Sequence, residues 1–343
     1  MPQQSARTSE AVDRDALHRD VIVIGAGFSG INAGIRLKAE GITDFIILER
    51  ADDVGGTWRD NTYPGCACDV PSHLYSYSFE QNPDWSTTYS GSAEIQAYIQ
   101  HCAEKYGLHE HLYFGVGIAH AAFDDDRGLW HLTADDGAVY TARAVISAVG
   151  GLVEPSTPNF AGMDAFTGEI MHTARWKHDV SLAGKKVVII GTGASGIQVI
   201  PSIAPEVDRL TVIQRSAPYV LPKADKALPE LMKKTFRRLP FAQTAFRRAI
   251  LAITEGLVGP AVILDSPLAT GMKKLALWNM RSAVKDPVLR EKLTPDYEIG
   301  CKRVLFASNY YPALTRDNVS VETEGVDRFT ANGVRLADGR EIE

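Results

Sequence analysis

Two glycine fingerprints constrain this chain more than any other feature of it. Gly25-x-Gly27-x-x-Gly30 follows the β-branched run Val21-Ile22-Val23-Ile24 and opens an apolar-periodic stretch over about residues 31–40, which Gly41 closes. Gly191-x-Gly193-x-x-Gly196 follows Val187-Val188-Ile189-Ile190 and opens a second such stretch that runs to about residue 203. A lone Gly-x-Gly-x-x-Gly is weak, but a strand before it and a helix after it give each glycine a task. The first permits a tight turn, the second lets a pyrophosphate approach the backbone, and the third lets the helix pack on its strand. The helix N-terminus then offers unpaired N–H groups and a positive dipole end to the phosphates. A glycine-rich turn without a ligand is the competing reading, and two copies in full context argue against it. Residues 45–48 and 210–214 supply the following strands, so a βαβ unit occurs twice. The expected fold class is α/β: two Rossmann-like dinucleotide-binding domains with a helical insertion.

The ends of the second strands distinguish the two sites. In the first, Glu49 stands about 20 residues past the fingerprint, where a carboxylate accepts hydrogen bonds from ribose hydroxyls. That suits FAD or NAD. In the second, the strand runs into Gln214-Arg215-Ser216 and carries no acid. Arg215 is a planar cation suited to a 2′-phosphate, with Ser216 as a donor, so NADPH is expected over NADH. A solvated surface arginine is the alternative there.

Composition bounds the remaining possibilities. The chain has 343 residues, enough for two modest domains, with 45% hydrophobic and 23% charged residues. A formal net charge of -6 suggests no nucleic-acid partner. Cys66, Cys68, Cys102 and Cys301 are too few and scattered for a disulfide framework, which points to a reducing cytoplasm. Cys66-Ala-Cys68 matches neither zinc nor redox spacing, and no metal site is expected. The polar N-terminus lacks a signal peptide's apolar stretch, and no uncharged apolar window reaches the length of a membrane span. The most apolar segment, residues 249–264, reads as a buried helix followed by a turn at Gly259-Pro260.

Domains are expected at 1–19 (a flexible arm), 20–154 (the first nucleotide-binding domain) and 155–343 (the second), with the helical insertion at about 223–292. Within the first, residues 55–79 form a long loop rich in Gly, Pro, Tyr and Ser, and ordered loops of that length usually carry function. Residues 93–106 read as a helix, 112–142 as a small antiparallel sheet, and 144–149 as a buried strand. Pro155 and Pro158 mark the linker.

Phe166-Thr167-Gly168-Glu169-Ile170-Met171-His172-Thr173-Ala174-Arg175-Trp176 lies between the two fingerprints and fits F-x-G-x-x-x-H-x-x-x-W. It resembles the fingerprint of the Baeyer–Villiger monooxygenases, the class B flavoprotein monooxygenases, although Lys177 stands where that family usually has Pro or Asp. Gly55-Gly56-Thr57-Trp58, with Tyr63-Pro64-Gly65 and Cys68-Asp69, resembles the family's flavin-facing loop. Gly300-Cys301-Lys302-Arg303, with Tyr310-Tyr311, resembles the segment bearing its active-site arginine. The match spans residues 21–318.

The resemblance implies bound FAD and NADP(H), and a ketone and O2 as reactants. In that chemistry NADPH reduces FAD, O2 adds at the flavin C4a, and the peroxyflavin attacks the ketone carbonyl to give an ester or lactone. By resemblance, Arg303 is the cation beside the peroxy anion, and Asp69 lies near the flavin and tunes Arg303. Lys302 joins Arg215 and Ser216 on the 2′-phosphate. Ser195 and Gln198 contact the NADP pyrophosphate beside Gly191, Thr192, Gly193 and Gly196. Gly56, Thr57, Trp58 and Tyr75 lie near the flavin, with Gly25, Gly27, Gly30 and Glu49. His172 sits at the interdomain linker and is expected to couple domain movement rather than transfer protons. Family members continue past the point matching Glu343, so the resemblance also implies a C-terminally shortened chain and an incomplete first domain. Two alternatives remain open: an N- or S-oxygenating flavin monooxygenase, against which Trp176 speaks, and a catalytically silent nucleotide-binding fragment. A disulfide reductase lacks its Cys-x-x-Cys.

Overall fold

The computed structural model describes residues 17–259 and 267–343. The expected arm lies outside them up to residue 16, and so do residues 260–266, beyond Gly259 of the expected turn. The chain forms two compact units: Met1–Asp60 with Ile95–Glu154, and Asn61–Glu94 with Pro155–Glu343. Among the described residues no helix is long and apolar enough to cross a membrane.

The continuous span 20–154 is therefore interrupted. Residues 61–94 belong with the second unit, tied there by backbone bonds such as Thr88 N to Lys226 O and Leu228 N to Ser86 O, each 2.9 Å. Hydrogen bonds of this kind join segments far apart in sequence and leave no periodic trace in it.

In the first unit the strands β1 (Leu17–Ile24), β2 (Phe45–Glu49), β3 (Leu112–Phe114), β4 (Ile118–Asp124), β5 (Leu129–Ala134) and β6 (Val139–Ser147) form one sheet, ordered β3-β2-β1-β6-β5-β4. Residues 17–19, assigned to the arm from sequence, are the start of β1 and pair with β6 from Leu17↔Tyr140 onward. The β-branched run of β1 lies between parallel partners, Ile22 facing Ile46 on one side and Val145 on the other. Both Ile22 and Val23 are fully buried, as a central parallel strand requires. Helix α1 (Phe28–Ala39) connects β1 to β2, and α2 (Thr57–Asp60) follows β2. Helix α3 (Ser92–Lys105) enters this unit at Ile95 and buries Ile95, Ile99 and Cys102.

Residues 112–142 supply the antiparallel strands expected, β4, β5 and the first part of β6, but as part of the main sheet. Strand β3 adds in parallel to β2, while β4 and β5 extend the main sheet through β6. Strand β6 pairs in parallel with β1 and antiparallel with β5, and alternation alone does not reveal such a double partner. Nor is the stretch 144–149 buried: Val149 is 53% exposed.

In the second unit β7 (Lys186–Ile190), β8 (Arg209–Ile213) and β11 (Val319–Glu322) form a parallel sheet in the order β11-β8-β7. Helix α4 (Gly196–Ile203) links β7 to β8, and its Ile197, Ile200 and Ile203 bury against Leu210, Val212, Tyr310 and Leu314. Burying each such side chain contributes roughly 1.5–3 kcal/mol, enough to fix which face of the helix packs inward. Two short parallel strands, β9 (Val220–Leu221) and β10 (Leu305–Phe306), pair in the register Leu305↔Val220. Strands β12 (Val326–Phe329), β13 (Val334–Leu336) and β14 (Glu341–Ile342) form an antiparallel sheet.

The insertion is helical as expected: α5 (Glu230–Arg238), α6 (Pro240–Ile253), α7 (Pro267–Ala283) and α8 (Pro287–Lys292). Helix α9 (Tyr310–Leu314) follows β10. The described part of the apolar segment 249–264 is not buried. In α6, Leu251 is 43% and Ile253 57% exposed. Polar tethers hold that helix instead: Arg247 Nη1 donates to His73 O (2.8 Å) and Leu74 O (2.7 Å), and Gln243 Nε2 to Asn82 O (2.7 Å).

Candidate functional site

The first fingerprint turns tightly where β1 ends. Gly25 has φ +99°, and a Cβ there would stand 2.6 Å from Ala148 O. A Cβ on Gly30 would stand 1.8 Å from Gly25 O, so this close approach of helix to turn admits only glycine. Gly27 and Gly56 abut, a Cβ on Gly56 lying 3.1 Å from Gly27 Cα. Gly55 and Gly56 accept the first bonds of α2, from Trp58 N (3.2 Å) and Asp60 N (2.9 Å). Thr57 is exposed and Trp58 half-buried.

Glu49, buried at the end of β2, is tightly held. Its Oε2 accepts from Ala26 N (2.8 Å), and its Oε1 accepts from Ala51 N (3.0 Å) and Arg59 Nη1 (3.0 Å). Arg59 was not foreseen. Its Nε donates to Asp60 Oδ1 (2.8 Å) and its Nη1 to Asp53 O (2.5 Å). Burial is the largest influence on this guanidinium and works against its charge, yet Glu49 and Asp60 together hold its pKa above the ordinary value. The only sequence signal was an arginine directly after Trp58.

The second fingerprint repeats the turn. Gly191 has φ +102°, and a Cβ on Gly196 would stand 2.6 Å from Gly191 O. A cleft of about 330 Å³ opens beside it, lined by Gly191, Gly193, Arg215, Ser216, Lys302 and Arg303. Lys302 Nζ donates to Ser216 Oγ (2.5 Å) and lies 4.5 Å from the centre of the Tyr297 ring. The pairing of β10 with β9 carries the segment 302–303 to this cleft. Arg215 is exposed, and Gln214 before it is buried and donates to Lys292 O (2.9 Å). Thr192 is buried and donates to Gln214 Oε1 (3.5 Å). Ser195 precedes α4 as its N-terminal flank.

The amide of Gln198 is engaged by residues 63–69. Its Oε1 accepts from Tyr63 OH (2.9 Å) and Ala67 N (3.4 Å), and its Nε2 donates to Ala67 O (2.9 Å) and Asp69 Oδ1 (3.4 Å). Tyr75, half-buried, sits in the turn where its N donates to Pro71 O (2.9 Å). The expected flavin loop thus divides, with residues 55–60 in the first unit and Asp69 and Tyr75 in the second.

Asp69 and Arg303 meet although distant in sequence. Arg303 Nη2 lies 3.5 Å from Asp69 Oδ2, and Lys223 Nζ lies 3.7 Å from Oδ1. Burial raises the Asp69 carboxyl above its ordinary pKa, with Lys223 and then Arg303 pulling it back. Nothing around Lys223 in the sequence marks it.

The segment 166–176 is organised by packing. Phe166 meets the Phe329 ring edge-to-face at 5.7 Å. A Cβ on Gly168 would lie 2.6 Å from the Phe166 ring, and Trp176 packs against the core of the second unit. His172 Nδ1 accepts from Ala174 N (3.1 Å) and so caps the turn Thr173–Arg175. Lys177, at the position that departs from the family pattern, pairs with Glu169 at 2.8 Å.

A family model described as flavin-binding monooxygenase-like matches residues 18–254. A Baeyer-Villiger monooxygenase of Streptomyces coelicolor is 48% identical over 326 residues, covering 95% of this chain and 62% of the relative. One of Pseudomonas aeruginosa is 45% identical over 338 residues, covering 98% of this chain and 64% of the relative. The chain thus spans somewhat under two thirds of the length of these relatives. Among solved structures, cyclohexanone monooxygenase from Rhodococcus sp. Phi1 bound to NADP+ superimposes with a TM-score of 0.85 at 30% identity, covering 96% of this chain and 69% of that one.

Proposed function

We propose, on the premise that the chain belongs to the flavin-binding monooxygenase-like family and to its Baeyer–Villiger group, that it uses NADPH and O2 to convert a ketone into an ester or lactone. One observation carries this reading: consecutive residues serve both halves of the chemistry, Lys302 bonding Ser216 in the cleft and Arg303 reaching Asp69.

The residues fit both cofactors. At the first fingerprint, Gly27 and Gly56 leave backbone bare for a pyrophosphate, and Gly25 and Gly30 hold the turn. A carboxylate has about four acceptor positions. Glu49 has three filled by Ala26, Ala51 and Arg59, which leaves one for a ribose hydroxyl of FAD. Thr57, Trp58 and Tyr75 are assigned to the flavin's surroundings by the family pattern. At the second, Gly193 has open space above it, and the N-terminus of α4 with Thr192 and Ser195 would receive the NADP pyrophosphate. Arg215, Ser216 and Lys302, which line the cleft, would hold the 2′-phosphate. Gln198 acts one step back, by fixing residues 63–69.

Bound FAD would supply electrons drawn from NADPH and the activation of O2. The chain's own part is electrostatic. An arginine does not lose its proton in proteins, so Arg303 contributes field and hydrogen bonds to a developing oxyanion rather than acid catalysis. Asp69 anchors that guanidinium. His172 shapes the linker by its cap. A permanent cation favours an anionic oxygen nucleophile, which suits ketone oxygenation better than the N- or S-oxygenation that forms the second reading. The four cysteines are free, which suits a reducing compartment such as the cytoplasm.

The test is flavin content followed by turnover. Purified protein loaded with FAD should be yellow, and a ketone panel should accelerate NADPH oxidation and give esters or lactones by mass spectrometry. Flavin-loaded protein yielding none of these products overturns the proposal. Colourless protein that binds only NADPH supports a silent nucleotide-binding role.

A further inference from the structure

Lys223 is held more firmly than a surface lysine needs to be. Its Nζ donates to Cys68 O (2.8 Å), lies 3.7 Å from Asp69 Oδ1, and stands 4.8 Å from the centre of the Tyr89 ring. Its backbone is clamped by one hydroxyl: Lys223 N donates to Ser308 Oγ (2.9 Å), and Ser308 Oγ donates to Lys223 O (2.6 Å). The Lys223 and Asp69 side chains are each 10% exposed, whereas Arg303 is 66% exposed. A buried ammonium persists only where acceptors and counter-charge converge, and here a carbonyl, a carboxylate and a ring face do so. The two cations stand at nearly equal distance from Asp69, so raw attraction does not rank them. Solvent does: water screens the Arg303 contact and is largely excluded from the Lys223 contact.

We propose that Lys223 is the standing counter-ion of Asp69 and a positioning residue for Arg303: it keeps the buried carboxylate charged and in place where the exposed Arg303 guanidinium meets it. The functional meaning rests on the reading of Asp69 and Arg303 given above; the ion pair itself does not. The other groups around Asp69 add no further cation. Gln198 from α4 is a neutral amide. Tyr63, Cys66, Cys68 and Tyr89 keep their protons, because burial raises each of them. Asp225 is an acid rather than a cation; it accepts from Tyr89 N (3.3 Å) and is not among the groups that act on Asp69. Lys223 and Arg303 are thus the cations shown to act on Asp69 among the described residues.

Removing Lys223 leaves burial opposed only by Arg303 and the Gln198 hydrogen bond, so the Asp69 carboxyl moves further up. The native state then holds a proton that the unfolded chain has already lost. Stability therefore falls as pH rises from the unfolded carboxyl range, about 4, through the raised native value. Thermal unfolding of the full chain, without cofactor or substrate, reads this directly. Lys223→Met should lower the midpoint by on the order of 4 °C more at pH 8 than at pH 5. Lys223→Arg should restore most of the loss, and Arg303→Ala should shift the midpoint by about a quarter as much. In an Asp69→Asn background the extra loss at high pH should vanish. If Lys223→Met alone does not fold, the double variant with Asp69→Asn should. A loss equal at all pH values overturns the proposal. So does a loss that persists with Asp69→Asn, or Arg303→Ala costing as much as Lys223→Met. Because turnover plays no part in this readout, its failure leaves the ketone chemistry standing, and absence of ester or lactone leaves the ion pair standing.

Discussion

The same three-glycine turn occurs at Gly25 and at Gly191, and the two copies diverge at the end of the strand that follows. Ile24 pairs with Leu48 in the first unit and Ile190 with Ile213 in the second. Glu49 and Gln214 therefore occupy matching places, each bonded to the residue after the first glycine: Glu49 to Ala26 N, Gln214 to Thr192 Oγ1. Glu49 is a charged acceptor bound to Arg59. Gln214 is neutral, and the charge beside it comes from Arg215 and Lys302. The backbone decides where a pyrophosphate can lie. On the proposed reading, one side chain per site, with its immediate neighbours, decides which ribose can follow.

That comparison can be broken by substitution. Glu49→Ala removes one partner of a buried ion pair and should cost roughly 3 kcal/mol of stability. The matching Gln214→Ala should cost about 1 kcal/mol, the value of a neutral hydrogen bond. Chemical denaturation measures both, and equal losses would mean that charge does not distinguish the sites. Next in size is overpacking: Gly30→Ala should cost about 1–3 kcal/mol. Gly196→Ala should cost less, because its Cβ would meet Gly191 O at 2.6 Å rather than the 1.8 Å found at Gly30. Thermal midpoints would sharpen the contrast, or erase it if Gly196→Ala proved the worse. The smallest effect belongs to the segment outside both fingerprints. His172→Ala should lose about 1 kcal/mol through the missing cap, and His172→Asn should recover it. A change in NADPH affinity from either variant would give His172 a role beyond the turn.

Much of this was legible in the sequence because the information is local. The strand–turn–helix order, the carboxylate at Glu49 and the cation at Arg215 all follow from short spacings within one βαβ unit. Resemblance then brought Lys302 and Arg303 to the correct neighbours, Ser216 and Asp69. What escaped depends on contacts between distant segments. Residues 61–94 join the second unit through backbone bonds to 226–228. The pairing of β9 with β10 is two residues long, too short for any periodicity. Gln198 faces residues 63–69 because Tyr63 and Ala67 complete its amide. Apolar α6 is anchored by the polar bonds of Arg247 and Gln243 to residues 73–82, far away in sequence. Arg59 and Lys223 belong to no motif; their carboxylate partners define them.

The central claim is that the second site reads a 2′-phosphate, and nucleotide affinity tests it most directly. Titration calorimetry of the full chain with NADPH and with NADH should show a clear preference for NADPH. Arg215→Ala should weaken NADPH binding by about 10- to 100-fold, the worth of a charge-assisted contact of 1.5–3 kcal/mol, and leave NADH almost unchanged. Equal affinity of the unaltered chain for the two nucleotides, or a preference that survives Arg215→Ala combined with Lys302→Ala, would contradict it.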